Sequence, residues 1–219
     1  MNLFTLLGLG LLLGLRHAAD PDHVVAVTAI AARTRRIFPA TLLGVVWGLG
    51  HTLTLFMVGV GIILFNWIVP PRVGLAMEFC VALALVTVGL LNLGHPRQRT
   101  SDLDRGAGRP PAGRAFVVGL VHGLAGSAAV ALLVLATVRE PGWACGYLLV
   151  FGLGTLVGMA LITTGFALPV ATAAGAWGGA GRLIRLSTGA LSLVLGLWLV
   201  YHVGWRDGLF LSAPRWTPQ

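Results

Sequence analysis

Charged side chains are scarce in this sequence of 219 residues, and lysine is absent altogether. Only 10% of the residues are charged, whereas a soluble domain carries about 25%. Hydrophobic residues make up 57% of the chain. So few polar side chains cannot cover the water-facing surface of a domain of this size. The composition therefore excludes an ordinary soluble enzyme and a disordered chain, and it predicts an all-α integral membrane protein.

Cysteine is almost as rare, and several catalytic motifs are missing. The two cysteines, Cys80 and Cys145, form no Cys-x-x-Cys pair, which argues against a zinc-ribbon or thiol-redox role. The sequence has neither a Walker A motif for ATP nor a His-Glu-x-x-His zinc-protease motif. These absences predict a protein that is not an enzyme and that holds no cofactor.

Six apolar stretches are candidates for membrane spans, each of which needs about 20 residues. The first has no basic segment before it and is predicted to be a retained span rather than a signal peptide. The six stretches cover residues 3–32, 38–69, 73–94, 115–138, 143–167 and 186–201.

The arginines are concentrated in alternate loops. Those that follow the first, third and fifth spans hold ten of the fifteen. Because cytoplasmic loops carry an excess of basic residues, this distribution predicts a multi-pass protein of the cell membrane with both termini outside. The net charge of +8 is thus interpreted as orientation in the lipid bilayer, and no nucleic-acid partner is predicted.

Short sequence matches relate the two halves of the chain. Three segments recur at nearly constant offsets, namely residues 14–17 at 119–122, 47–51 at 151–155, and 89–95 at 196–202. Each pair lies in corresponding spans, and three spans per half make the halves opposite in orientation. The matches predict two inverted three-helix repeats, residues 1–94 and 115–219, joined by a cytoplasmic linker of residues 95–114. Secondary transporters of this plan bind their substrate near the midplane between the repeats.

The strongest functional signal is a polar run inside the first span. Residues 16–23 read Arg-His-Ala-Ala-Asp-Pro-Asp-His and place five ionisable side chains in eight positions. Each charge costs about 2.5–3.5 kcal/mol at the centre of a membrane helix, so the run predicts a function or a pairing partner. Pro21 lacks a backbone N–H, and its ring clashes with the carbonyl of His17. The helix is therefore predicted to break here, with Asp20 capping the new start.

The break allows His17, Asp22 and His23 to converge. Two imidazoles and a carboxylate suit a borderline divalent ion such as nickel, cobalt or zinc. His51 lies midway along the second span and is predicted to be a further ligand of the same ion.

Other polar residues in the spans are predicted to support these ligands. Asp20 lies within the polar run of residues 16–23. His122 and Ser127 lie in the fourth span, where a role in supporting the ligands and a packing role are equally open. The structural alternative for the whole cluster is an ion pair between Arg16 and Asp20, with the histidines facing a polar crevice.

Three segments resemble one transporter family. Residues His17 to His23 fit the His-x-x-x-x-Asp-His signature of the nickel/cobalt transporter (NiCoT) family. Gly48 to Thr52 is similar to its Leu-Gly-His-Ser/Thr pattern, and residues 122–127 resemble a His-Gly-Leu-x-Gly-Ser segment of the shorter, six-span urease-accessory-like branch.

The resemblance implies a permease for divalent transition-metal ions, nickel and/or cobalt, that acts in uptake. It implies that His17, Asp22 and His23 are the essential metal residues and that His51 supports them. The ion is then the transported substrate and not a cofactor. The expected partners are the divalent ion and the lipid bilayer, and a homo-oligomer or metal-delivery partners stay open.

An intramembrane hydrolase is the alternative function. A zinc hydrolase could use His17, His23 and His51, and a serine hydrolase could use His122 with Ser127. Residues five apart diverge by about 140° around a helix, however, and the sequence has no Gly-x-Ser-Gly pattern. A six-span thiol–disulfide carrier would need paired intramembrane cysteines, which the sequence does not provide.

Overall fold

The protein is described by a computed structural model that covers residues 2–31, 36–65, 69–94, 112–123, 138, 140–176 and 180–216. Within these ranges it is helical and contains no β-strand, in agreement with the predicted all-α class. The helices are α1 (Leu3–Ala18), α2 (Pro21–Ala31), α3 (Ile37–Phe65), α4 (Pro71–Gly94), α5 (Ala112–His122), α6 (Pro141–Ala176) and α7 (Ala180–Tyr201), followed by a π-helical turn, His202–Arg206.

Four of these helical segments are long and apolar enough to cross a membrane. They are Ile37–Phe65, Pro71–Gly94, Pro141–Pro169 and Arg182–Arg206, and the bent pair of α1 and α2 counts as a fifth span if it is taken as one. The fourth predicted span is described only as far as Gly123, since residues 124–137 lie outside the described residues. Most of the predicted linker, residues 95–111, also lies outside them. The count of six spans therefore stays a prediction.

The first span is broken where Pro21 predicts a break. Helix α1 ends at Ala18, α2 begins at Pro21, and the two are bent by 57°. The Asp20 carbonyl accepts the N–H of Val24, which is the first backbone hydrogen bond of α2. The carboxylate of Asp20 bonds to His17 (2.9 Å), so this side chain serves the histidine in addition to standing at the helix start.

Helices α3 and α6 run in opposite directions along one another at the centre of the bundle. Gly44 of α3 packs on Thr163 of α6, and Gly59 packs on Leu148 at the other end. Around this pair, α1 packs on α6, α5 packs on α3, and α4 packs on α7. Glycines in the contacts let the helix backbones approach closely.

The glycine contacts of the two halves are reciprocal. A Cβ atom at Gly14 of α1 would overlap the carbonyl oxygen of Phe151 in α6, and one at Gly119 of α5 would overlap the carbonyl oxygen of Trp47 in α3. Gly14 and Gly119 are matched positions of the sequence repeat, as are Trp47 and Phe151. The same helix crossing therefore occurs twice, with the halves exchanged.

The contact between α4 and α7 is reciprocal as well, at the offset of 107 residues seen in the sequence. In both directions a glycine lies against the backbone of two residues of the other helix: Gly89 against Gly189 and Leu193, and Gly196 against Ala82 and Val86. The α1–α6 contact thus corresponds to the α5–α3 contact, and the α4–α7 contact corresponds to itself, as an internal two-fold relation requires.

Candidate metal centre

Four histidines from four helices lie together in the interior. His17 lies in the last turn of α1, His23 in the first turn of α2, His51 midway along α3 and His122 at the end of α5, and each is at most 5% exposed. His23 is central, because its ring centroid lies 4.5 Å from that of His17, 4.9 Å from His51 and 4.6 Å from His122. The helix break turns the side chains of His17 and His23 toward each other.

The closest contact joins two ring nitrogens. His17 Nε2 and His51 Nε2 are 3.0 Å apart. Without an ion, one nitrogen must carry a proton and donate it to the other. Two nitrogens that bind one ion at about 2.1 Å, at the right angle of square-planar or octahedral coordination, are also about 3.0 Å apart. The distance between the two nitrogens is thus compatible with a shared divalent ion.

Carboxylates hold three of the four imidazoles. Asp20 Oδ2 lies 2.9 Å from His17 Nδ1. Asp22 Oδ1 lies 3.0 Å from His23 Nδ1, and Asp22 Oδ2 lies 3.0 Å from His122 Nε2. A carboxylate that accepts one ring N–H fixes the tautomer and leaves the other nitrogen as a lone-pair donor for a metal. On this basis Nε2 is the nitrogen of His17 and of His23 that is available to a metal.

Several buried nitrogens of the cluster have no hydrogen-bond partner among the described residues. They are His23 Nε2, His51 Nδ1 and His122 Nδ1. Buried polar atoms in proteins are nearly always paired, so three orphans in one cluster need an explanation. A cation explains His23 Nε2, which is free to bind one. His51 Nδ1 and His122 Nδ1 are the ring nitrogens opposite the Nε2 atoms that contact His17 and Asp22.

The side chains form two overlapping groups with the spacing of metal ligands. His17, His23 and His51 make the first, and Asp22, His23 and His122 make the second. Within each group the ligand atoms lie within 4.8 Å of one another. The structure thus brings together all four predicted ligands, but it places Asp22 beside His122 rather than with His17 and His51.

Two aromatic rings enclose the cluster. Trp47 stacks on His51 (centroids 5.6 Å apart, planes at 14°) and meets the edge of His23 at 5.4 Å. Phe151 lies 5.4 Å from His17. Each ring belongs to a different apolar cluster of the core, and these clusters exclude water from the histidines. The sequence repeat aligned Trp47 with Phe151, but their contact with the histidines follows only from the helix packing.

Close packing of α5 on α3 brings His122 to the cluster. Cβ atoms at Gly119 and Gly123 would contact the backbone of Trp47 and His51 at distances that leave them no room. The predicted supporting residue Ser127 lies outside the described residues.

Other polar side chains lie outside the cluster. His202 pairs with Asp207 (2.9 Å) after the end of α7. Arg16 is exposed and the carboxylate of Asp20 bonds to His17, so the described residues show no Arg16–Asp20 ion pair. This outcome does not support the structural alternative for the cluster.

Comparison with known proteins relates the chain to transporters. Residues 3–93, which hold α1 to α4, match a family described as "High-affinity nickel-transport protein" (NicO). The chain is also 35% identical over 227 residues to the "Urease accessory protein UreH" of Bacillus sp. (strain TB-90), with 96% of each sequence covered. No solved structure matches the chain.

Proposed function

The chain belongs to the NicO family of nickel-transport proteins, and on this premise we propose that it is a permease that takes nickel, and also cobalt, into the cell. The family is one of transporters, so the prediction that the chain is not an enzyme is confirmed, as is the resemblance to nickel/cobalt transporters. The hydrolase alternative is not favoured. Four apolar helices and the bent pair agree with a multi-pass membrane protein.

The buried group of His17, His23 and His51 carries the proposal. A hydrated dication can enter an apolar bundle only if ligands replace its water. Three imidazoles supply borderline nitrogen ligands of the kind that nickel and cobalt prefer. Asp20 and Asp22, each bonded to a histidine of the cluster, bring two negative charges that balance the two positive charges of the ion.

The driving force for uptake would be the membrane potential. A dication that moves inward down 100 mV gains about 4.6 kcal/mol, from about 2.3 kcal/mol per charge. The sequence has no Walker A motif, so the proposed transport does not depend on ATP hydrolysis by this chain.

For the architecture we propose two inverted three-helix repeats with the ion between them. The reciprocal contacts of Gly14 with Phe151 and of Gly119 with Trp47 support this plan. The ligand cluster lies at these crossings, with His17 and His51 in the first half and His122 in the second. In such transporters one half moves against the other around a fixed site.

Radioactive nickel uptake tests the function. Cells that express the protein are expected to accumulate nickel above cells that carry an empty vector, and excess cobalt is expected to inhibit this uptake more strongly than excess magnesium, which prefers oxygen ligands. Equal accumulation in both cell types, at verified protein levels in the membrane, would contradict the proposal.

Removal of the Asp20 carboxylate is expected to weaken transport without abolishing it. In Asp20→Ala, His17 loses the acceptor of its Nδ1–H, and loss of such a supporting partner costs about 10–100-fold in metal affinity or activity. Asp20→Asn keeps an oxygen acceptor and a good helix cap, so it should lie between the alanine variant and the wild type. The nickel concentration at half-maximal uptake measures the effect, and identical values for all three proteins would refute it.

The orientation in the membrane can be tested with single cysteines. In a cysteine-free background (Cys80→Ser, Cys145→Ser), Thr100→Cys in the predicted linker should resist an impermeant thiol reagent in intact cells. Ser212→Cys, at an exposed position near the C-terminus, should react. Labelling of the first variant from outside would contradict cytoplasmic placement of the linker.

A further inference from the structure

We propose that Asp22, His23 and His122 form a second ion position beside the first, and that the ion passes between the two positions across the imidazole of His23. The proposal rests on the proposed transport of nickel. It assigns His122 as a ligand, whereas the sequence predicts at most a supporting role for this residue.

Asp22 and His122 already face one another as two ligands of an ion would. Asp22 Oδ2 lies 3.0 Å from His122 Nε2, while its other oxygen, Oδ1, lies 3.0 Å from His23 Nδ1. The carboxylate therefore lies between two imidazoles. One ligand atom from each of the three residues falls within 4.8 Å of the others, so small shifts bring all three within reach of a single ion.

His23 is the only residue that belongs to both groups among the described residues. Its Nδ1 faces Asp22, and its Nε2 has no hydrogen-bond partner there. The rings of His17 and His51 lie 4.5 and 4.9 Å from that of His23, centroid to centroid. His23 thus has one nitrogen on the side of each group. Nδ1 carries the ring proton while it bonds to Asp22, so an ion binds Nδ1 only when that proton has moved to Nε2, which becomes free as the ion leaves the first position.

The two positions differ in charge and in access to solvent. The first contains only imidazoles, and these are buried. The second includes a carboxylate, and the side chain of Asp22 is 19% exposed whereas those of His23 and His122 are at most 1% exposed. The desolvation cost of a dication is lowest where a charged ligand and solvent are both present. The second position is therefore the one at which the ion is exchanged with water, and the first is the one at which it is enclosed.

The second position also joins the two halves of the chain. Asp22 and His23 lie in α2, and His122 lies in α5 of the second half. A movement of one half against the other would separate His122 from Asp22 while it leaves His17 and His23 together. The ion would then stay with the first position when the halves move.

Variants that remove a ligand from one of the two positions and keep His23 test this proposal. His51→Ala removes a ligand of the first position only, and His122→Ala removes a ligand of the second only. His122→Asn keeps an N–H donor to Asp22 but is a poor nickel ligand. Purified full-length proteins are checked for folding by size-exclusion chromatography. Nickel binding is measured by equilibrium dialysis, the ligands by X-ray absorption at the nickel edge, and transport in cells.

We expect His51→Ala and His122→Ala each still to bind one nickel ion per chain, at the position that the substitution leaves intact, and to transport it hardly at all. The variant that loses the tighter position should bind nickel at least about tenfold more weakly than the wild type. The nickel spectrum of His51→Ala should show a carboxylate oxygen and fewer imidazoles than that of His122→Ala. His122→Asn should transport no better than His122→Ala.

Restoration of transport in His122→Asn would overturn the proposal, because His122 would then only orient Asp22. Identical nickel spectra in the two alanine variants would overturn it too. A wild-type protein that neither binds nor transports nickel would instead refute the proposed function itself.

Discussion

Nickel accumulation is expected to fall to the level of the empty vector when His17, His23 or His51 is replaced by alanine. Each imidazole is buried and belongs to the group of three that we propose as the enclosed ion position. Loss of one leaves the dication with two imidazoles in an apolar interior, where no water can replace the missing ligand. We expect Asp22→Ala to have the same effect, since Asp22 bonds to both His23 and His122 and carries charge that balances the ion.

His202→Ala is the matched control, because His202 also pairs with an aspartate but lies at the end of α7. This variant should accumulate nickel like the wild type. Uptake of radioactive nickel is compared after the amount of each protein in the membrane has been measured. Normal accumulation by the His17, His23 and His51 variants at normal protein levels would show that the cluster is not the transport site.

The second large effect is expected from a single methyl group at either of two glycines. In Gly14→Ala the new Cβ would overlap the carbonyl oxygen of Phe151, and in Gly119→Ala it would overlap that of Trp47. A backbone carbonyl within a helix cannot move aside as a flexible side chain can. Overpacking of this kind typically costs about 1–3 kcal/mol of stability. Here it would also push α1, which carries His17, away from α6, or push α5, which carries His122, away from α3.

Two glycines on the same helices provide controls. A Cβ atom at Gly8 of α1 or at Gly113 of α5 would meet nothing within 4 Å. Alanine at these positions is expected to leave the protein as stable or slightly more stable, since glycine within a helix costs about 0.5–1 kcal/mol relative to alanine. The stability of both pairs of variants is measured by thermal unfolding in detergent, and their transport is measured by nickel uptake. Similar losses in Gly14→Ala and Gly119→Ala would support the inverted repeat, and a loss in only one of them would contradict the equivalence of the two crossings.

Much of the site could be predicted because its signal is local. The break at Pro21 follows from the missing N–H of proline and its clash with the preceding turn, and it needs no information from distant residues. The cost of charge in a membrane helix singled out the segment from His17 to His23 in the same way. A histidine in an otherwise apolar span likewise indicates His51.

The partners of these residues could not be predicted, because they depend on how close the helices come and how they are rotated. The helical period gives the direction of a side chain relative to its own helix, and it carries no information on which neighbour that side chain meets. The pairing of Asp22 with His122, 100 residues away, follows from contacts of glycine with backbone at Gly119 and Gly123.

Composition and local residue chemistry predict the membrane class, the broken first helix and the polar residues that make up the cluster. Helix packing in three dimensions is what places His23 in both groups, brings Asp20 into a bond with His17, and sets Trp47 and Phe151 around the cluster. The physical reason is that composition and helical period act along one segment, whereas a metal centre is formed where side chains from α1, α2, α3 and α5 meet at distances set by backbone packing.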